Sequence, residues 1–196
     1  MRRAFGFARH NRDMPSYVAF LRAINLGPTR KFPKQAITSA VESIGGSGVE
    51  TYIASGNVRF STPMRSRPRI EAALEAAFLA DRGFAVPTVL FTPAELARIV
   101  GDIDELWASH GEPVAHSVTL LKAPPPASAV AALAKLDTAG DQVDVRDRAA
   151  HVLLVKNFHE AKVFSSKEFL ALGEGTARNA SVLREIDRRW GAATAS

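Results

Sequence analysis

The chain of 196 residues contains no cysteine. Disulfides, thiol catalysis and cysteine-ligated zinc are therefore excluded; a reducing cytoplasm fits and is the expected compartment, although lack of cysteine is compatible with any. Trp and Tyr are few, two of each, but with eleven Phe the aromatic share is 8% and 46% of the residues are hydrophobic, ordinary values for a globular core. No window approaches the roughly 20 apolar residues that cross a bilayer, so no membrane association is expected. Five histidines are present. They show no H-E-x-x-H frame: His110 and His116 are separated by a few residues, as are His151 and His159, without ligand spacing, and neither a metal nor a cofactor is expected. No G-x-S-x-G elbow occurs, and Ser165-Ser166-Lys167 lacks an S-x-x-K frame.

The formal charge is +5, but it is unevenly placed. Arg2, Arg3, Arg9 and Arg12 against Asp13 concentrate three of those charges in the first thirteen residues and leave two for the rest. Residues 1–14 carry no periodic apolar pattern and read as a disordered basic extension. Three explanations fit that arm: binding to an anionic polymer, a targeting peptide, or an extension upstream of a natural start at Met14. The third is favoured because a β run begins at once, and no apolar h-region follows the arginines.

What is present is strong patterning. YVAFLRAI, residues 17–24, reads as a strand from its β-branched and aromatic content. Residues 33–44 read as a helix with proline in its first turn, apolar Ala36, Ile37, Ala40, Val41 and Ile44 at helical spacing, and the Gly45-Gly46 pair as terminator. TYIA and NVRFS read as a hairpin reversing at Ser55-Gly56-Asn57, where Gly56 takes φ > 0 freely and Asn57 tolerates it. A helix over 67–80 ends at Gly83, and VPTVLFT follows as a fourth strand. The order β-α-β-β-α-β is the split βαβ or ferredoxin-like pattern, predicted for residues 15–92. That pattern places the first and third strands centrally and the fourth at an edge, where Pro87 is tolerated. It also brings the loop NLGPTRKF to the same end of the sheet as the Ser55-Gly56-Asn57 turn.

Residues 93–196 echo this order less regularly and read as a second α+β subdomain. A helix over 93–100 follows a Thr92 N-cap. HSVTLLKA, a proline-started helix, the pair QVDVRD and HVLLVKN, and a short helical segment at 166–172 come next. The last helix is expected from Thr176 to Trp190, after Gly173 and Gly175, on an apolar stripe of Ala180, Leu183 and Ile186.

Two residue sets carry chemistry. Arg22, Asn25, Lys31, Lys34, Ser55, Gly56 and Asn57 belong to the converging loops, rich in donors and without a general base. Such a set suits a phosphate, which guanidinium grips bidentately while amides and hydroxyls orient it. A structural explanation stands beside that one, because Ser and Asn are what turns select. Gly173-Glu174-Gly175-Thr176-Ala177-Arg178-Asn179, read as glycines before a helix, would leave N–H groups facing an anion with Arg178 as clamp. The alternative is a glycine C-cap of one helix beside a Thr176 N-cap of the next. Two acidic clusters, Asp102-Asp104-Glu105 and Asp141-Asp144-Asp147, read as solvated faces.

LRAINLG, the basic loop with Lys31 and Lys34, YIASGNVRF and the late TARN together resemble the bacterial family catalogued as domain of unknown function 1697, over most of the chain after Met14. The family pattern has LRGIN with a glycine pair, SGN in the hairpin and a late RNW. Here Ala23 replaces glycine, Pro28 the second glycine, and Ala180 the tryptophan. The resemblance implies two linked α+β subdomains, the first ferredoxin-like, and no settled activity. The residues themselves point first to a protein binding a phosphate-bearing, nucleotide-like small molecule between the subdomains. The other two readings are an RNA- or DNA-binding module, although NVRFS lacks an RNP1 pattern, and a small enzyme acting on a phosphorylated substrate. Oligomeric state is not encoded in these features.

Overall fold

A computed structural model describes residues 14–54, 56–111, 113–156 and 161–191. The basic arm preceding Met14, Ser55 and His159 lie outside the described residues. The chain divides into two compact units after Leu90, and each is an α+β unit built on one four-stranded sheet.

In the first unit the order is β1 (Ser16–Leu21), α1 (Lys34–Ser43), β2 (Ser47–Tyr52), β3 (Asn57–Ser61), α2 (Arg67–Arg82) and β4 (Thr88–Phe91). The sheet runs β2-β3-β1-β4, so the first and third strands are central. Alternation sends Tyr17, Ala19, Leu21, Val58 and Phe60 to one face, where they meet Ile37 and Val41 of α1 and Ile70, Leu74 and Phe78 of α2 in a common core. Helix α2 stops where Gly83 turns left-handed at φ 72°, as a glycine C-cap should.

The edge strand β4 is not left bare. Its Thr88 N–H donates to Glu75 Oε1 at 2.8 Å and its Leu90 N–H to Glu71 Oε1 at 2.9 Å. Both glutamates come from α2, so the helix that covers the sheet also occupies donors of its exposed margin.

The second unit contains α3 (Pro93–Ser109), β5 (Ala115–Leu121), α4 (Ala127–Leu133), β6 (Gln142–Arg146), β7 (Ala149–Leu154), α5 (Lys167–Leu170), β8 (Gly175–Asn179) and α6 (Ala180–Trp190). Its sheet order, β6-β7-β5-β8, repeats that of the first unit strand for strand. The same two junction bonds recur: Leu21 N–H donates to Gly56 O and Leu121 N–H to Arg148 O, while Arg22 N–H donates to Pro87 O and Lys122 N–H to Glu174 O. The second half is therefore as regular as the first, which its sequence conceals.

Helix α3 begins as expected at Thr92, in a full capping box with Glu95. It runs well past Val100, through Gly101, because Ile99, Ile103 and Leu106 keep its buried stripe continuous. A correction concerns the last element. Thr176, Arg178 and Asn179 do not open a helix; they form β8, paired with β5 from Ser117 opposite Asn179 to Leu121 opposite Gly175, and the helix starts only at Ala180. Backbone pairing with β5 outweighs the weak helical signal of this segment.

Candidate functional site

Three left-handed residues other than glycine gather at one end of the first sheet: Ala23 (φ 56°), Asn25 (φ 54°) and Ile53 (φ 48°). Asparagine tolerates this region, but for β-branched isoleucine it is a genuine outlier. Residues held this way persist only where their surroundings over-determine them.

Asn25 supplies that determination. Its backbone N–H donates to Arg30 O at 2.7 Å, and its Oδ1 accepts from Phe32 N–H at 2.8 Å, folding the first loop on itself. Its Nδ2 donates to Ala54 O at 2.7 Å and ties that loop to the β2–β3 turn. Arg30 completes the brace by donating to Ala23 O and Ala85 O, its guanidinium 4.5 Å above the Phe84 ring. Asn57, fully buried, donates from Nδ2 to Tyr52 O at 3.0 Å and closes the hairpin. Gly56 is required twice over, by φ 80° and because a β-carbon there would lie 2.7 Å from Leu21 Cβ and 2.8 Å from Ile24 Cδ1.

The two loops enclose a cleft of about 480 Å³. Asn25, Lys34, Gly56 and Asn57 of the expected set line it, together with residues that sequence did not single out, notably Phe32, Ile37, Thr51 and Ile53. Lys31 sits on the same loop. Arg22, Lys31 and Lys34 are exposed and enter no ion pair among the described residues. From residue 22 to 41 the chain has no acidic side chain, and α1 has none in its first turn. Pro33, the N-cap of α1, offers no side-chain acceptor, so the positive end of that helix faces the cleft rim unneutralised.

Thr176, Arg178 and Asn179 belong to the second unit. On β8 the side chains of Thr176 and Arg178 turn inward while Asn179 is exposed. Arg178 is 8% exposed and donates to Thr176 Oγ1 at 2.9 Å and to Ala177 O at 2.8 Å; burial pushes its guanidinium down to about 10. Strand register places it in one row with Val118, His151 and Asp144.

That row exposes a pair invisible in the sequence. His116 Nε2 and His151 Nδ1 are 3.2 Å apart, both rings are buried, and the Trp107 ring stacks on His116 at 6.4 Å. Desolvation holds both imidazoles at about 4, with His151 and the Arg184 and His110 side chains lowering His116 further, and Asp102 and Asp144 only partly opposing the effect at His151. The outer nitrogens, His116 Nδ1 and His151 Nε2, find no hydrogen-bond partner among the described residues. Nearby, Arg146 collects Asp102, Glu105 and Asp144 at 2.8 to 3.0 Å, so the acidic clusters grip an arginine. No group of three or more metal-ligating side chains occurs among the described residues, and none of their helices is long and apolar enough to cross a membrane.

Comparison with solved structures finds the conserved bacterial protein SP0830 from Streptococcus pneumoniae. Its TM-score is 0.72 at 16% identity, covering 89% of this chain and 98% of that one, a likeness of fold alone. No curated protein matches the chain. The LRAINLG and YIASGNVRF segments that build the cleft both fall within residues 14–151, which match the family described as protein of unknown function, DUF1697, and to that family this chain belongs.

Proposed function

We propose that the first unit is a ferredoxin-like scaffold whose cleft binds a phosphate-bearing small molecule, nucleotide-like at its phosphate end, in the cytoplasm. The observation that carries this reading is the difference between two copies of one frame. In the second unit the frame closes with the short connections 122–126 and 147–148; in the first the corresponding connections are 22–33 and 53–56. The longer pair is not needed to close a sheet of this order, it contains the left-handed residues Ala23, Asn25 and Ile53, and it encloses the cleft. Long connections that build a structure of their own are a usual place for function.

The chemistry of the cleft supports an anion. Lys34 is an exposed ammonium at the first turn of α1, where first-turn N–H groups and the helix dipole also favour negative charge. Lys31 and Arg22, exposed on the first loop but outside the cleft lining, are the other cations of the expected set. The described lining residues include neither histidine nor carboxylate, so they offer binding and orientation and no proton acceptor. Asn25 and Asn57 contribute chiefly by fixing the loops. Ser55 is expected to add a hydroxyl at the turn.

Calorimetric titration of inorganic phosphate and AMP into the protein at low salt tests this. Heat of binding lost in Lys34→Ala, with the circular dichroism spectrum unchanged, is the expected outcome. Absence of heat from either ligand with the native protein would refute the reading.

A further inference from the structure

The cleft lining is chemically mixed. Lys34 brings a positive charge at the start of α1. Aliphatic Ile53 and Ala54 come from the β2–β3 turn, and Phe32 and Ile37 complete the apolar part. Phe32 offers no ring face, since it is 2% exposed and packed edge-on to Phe78 at 5.0 Å and to Phe84 at 6.5 Å. A nucleobase is commonly held by stacking on an exposed aromatic or guanidinium plane. The described cleft wall presents neither, and the Arg30 guanidinium already lies over Phe84.

Ile53 is the unusual member. It is held at φ 48°, in a backbone region that disfavours β-branched residues, and its side chain is 50% exposed. Nothing in the unit's core uses that side chain. Glycine would relieve the backbone, and asparagine would suit both the φ and the solvent. Isoleucine at this position gives the cleft an aliphatic side chain from the β2–β3 turn, while Lys34 comes from α1, and Leu26 of the first loop is likewise exposed, at 60%.

We infer that the ligand of this cleft is a phosphate ester with an aliphatic body, the phosphate held by Lys34 and the hydrocarbon covered by Ile53. The inference rests on the phosphate-binding reading above and specifies the other half of the molecule. The same chemistry occurs in a free alkyl phosphate and in the headgroup region of an anionic lipid.

Titration of methyl, propyl and butyl phosphate, followed by amide chemical shifts of Lys34 and Ile53, measures both halves. Affinity is expected to rise about two- to fourfold per methylene, the upper figure being the factor for taking one CH₂ fully out of water. Phenyl phosphate and AMP are expected to bind no more tightly than the butyl ester. Ile53→Gly, which removes backbone strain and so preserves the fold, should flatten the series while inorganic phosphate binds as before. Lys34→Ala should weaken every ester together. Phosphate binding with a flat series, or with AMP the tightest, overturns the inference and leaves phosphate recognition standing; no response to inorganic phosphate overturns both. Vesicles of phosphatidylcholine with and without phosphatidic acid separate the sources. Protein that sediments with the acidic vesicles, yet shows no shift with soluble esters, would overturn the free-ester form.

Discussion

Gly56 and Gly27 allow the loop geometry to be tested by two substitutions of the same kind with different expected outcomes. Both residues are left-handed, at φ 80° and φ 65°. An alanine at either position meets the left-handed penalty of about 1–2 kcal/mol. Part of it is offset, by roughly 0.4–1 kcal/mol, because alanine also restricts the unfolded chain. At Gly27 nothing lies within 4 Å of the added methyl, so a net loss of about 1 kcal/mol is expected. At Gly56 the methyl would sit 2.7 Å from Leu21 Cβ and 2.8 Å from Ile24 Cδ1, both in the buried core. Overpacking adds about 1–3 kcal/mol. The same methyl also pushes on the Leu21 N–H to Gly56 O bond that joins β1 to the turn. Gly56→Ala should therefore be less stable than Gly27→Ala by roughly 1–3 kcal/mol on the overpacking term alone. Urea unfolding followed by far-ultraviolet circular dichroism measures the difference. Trp107 and Trp190 both lie in the second unit, so tryptophan fluorescence reports that unit separately. Coincident transitions for the two variants would refute the close approach on which the cleft geometry depends.

Glu71→Ala removes the acceptor of the buried Leu90 N–H and should destabilise the first unit by about 1–3 kcal/mol; Glu71→Gln, which keeps an oxygen, should lose less. Hydrogen exchange at the Leu90 amide checks it, and unchanged protection in the alanine variant contradicts the edge-capping account. The two buried histidines give a pH dependence of known sign. Their folded values near 4 lie below the ordinary value of about 6.5, so the unfolded chain binds more protons between those limits. Stability is complete above about pH 6.5 and declines toward pH 4, by up to about 1.4 kcal/mol per pH unit for each ring. His151→Leu should reduce that slope, and urea midpoints independent of pH over this range would count against buried neutral rings. Arg146→Ala leaves Asp102, Glu105 and Asp144 facing one another on a partly exposed surface, with an expected loss of about 1 kcal/mol. Because solvent reaches these groups, the loss should shrink at high salt; a loss unaffected by salt would argue against an ionic origin.

How far the sequence carried this molecule depends on which physical signal each element uses. Elements β1, α1, β3, α2 and β4 are legible because each has one clear period: Ile37, Ala40 and Val41 at helical spacing in α1, and β-branched or aromatic residues in the strands. Strand β2 is legible only in part, since TYIA reads as the strand whereas the pairing runs from Ser47 to Tyr52, with Ile53 and Ala54 in the turn. Residues 176–179 are not, because the alternation that makes β8 a strand puts Thr176 and Arg178, not apolar residues, on its inward face. A period-two signal written partly with a buried arginine escapes a reading that follows hydrophobicity. The His116–His151 contact lay further out of reach, since it follows from the register that sets Val118 opposite His151, and register is a property of the paired sheet.

The cleft divides in the same way. Topology alone places Asn25, Lys34, Gly56 and Asn57 at one end of the sheet, and the chain order was enough to anticipate it. Their division of labour needed coordinates. Asn25 reads as a ligand donor until its amide is seen binding Phe32 N–H and Ala54 O, which makes it the staple of the two loops. Ile53 reads as part of a strand, and no propensity scale would place a β-branched residue at φ 48°. A residue whose type opposes its conformation, on a loop longer than the frame requires, is where local folding preferences have yielded to something else. In this chain that residue lines the cleft, so its replacement by glycine separates the demands of the fold from those of the ligand proposed above.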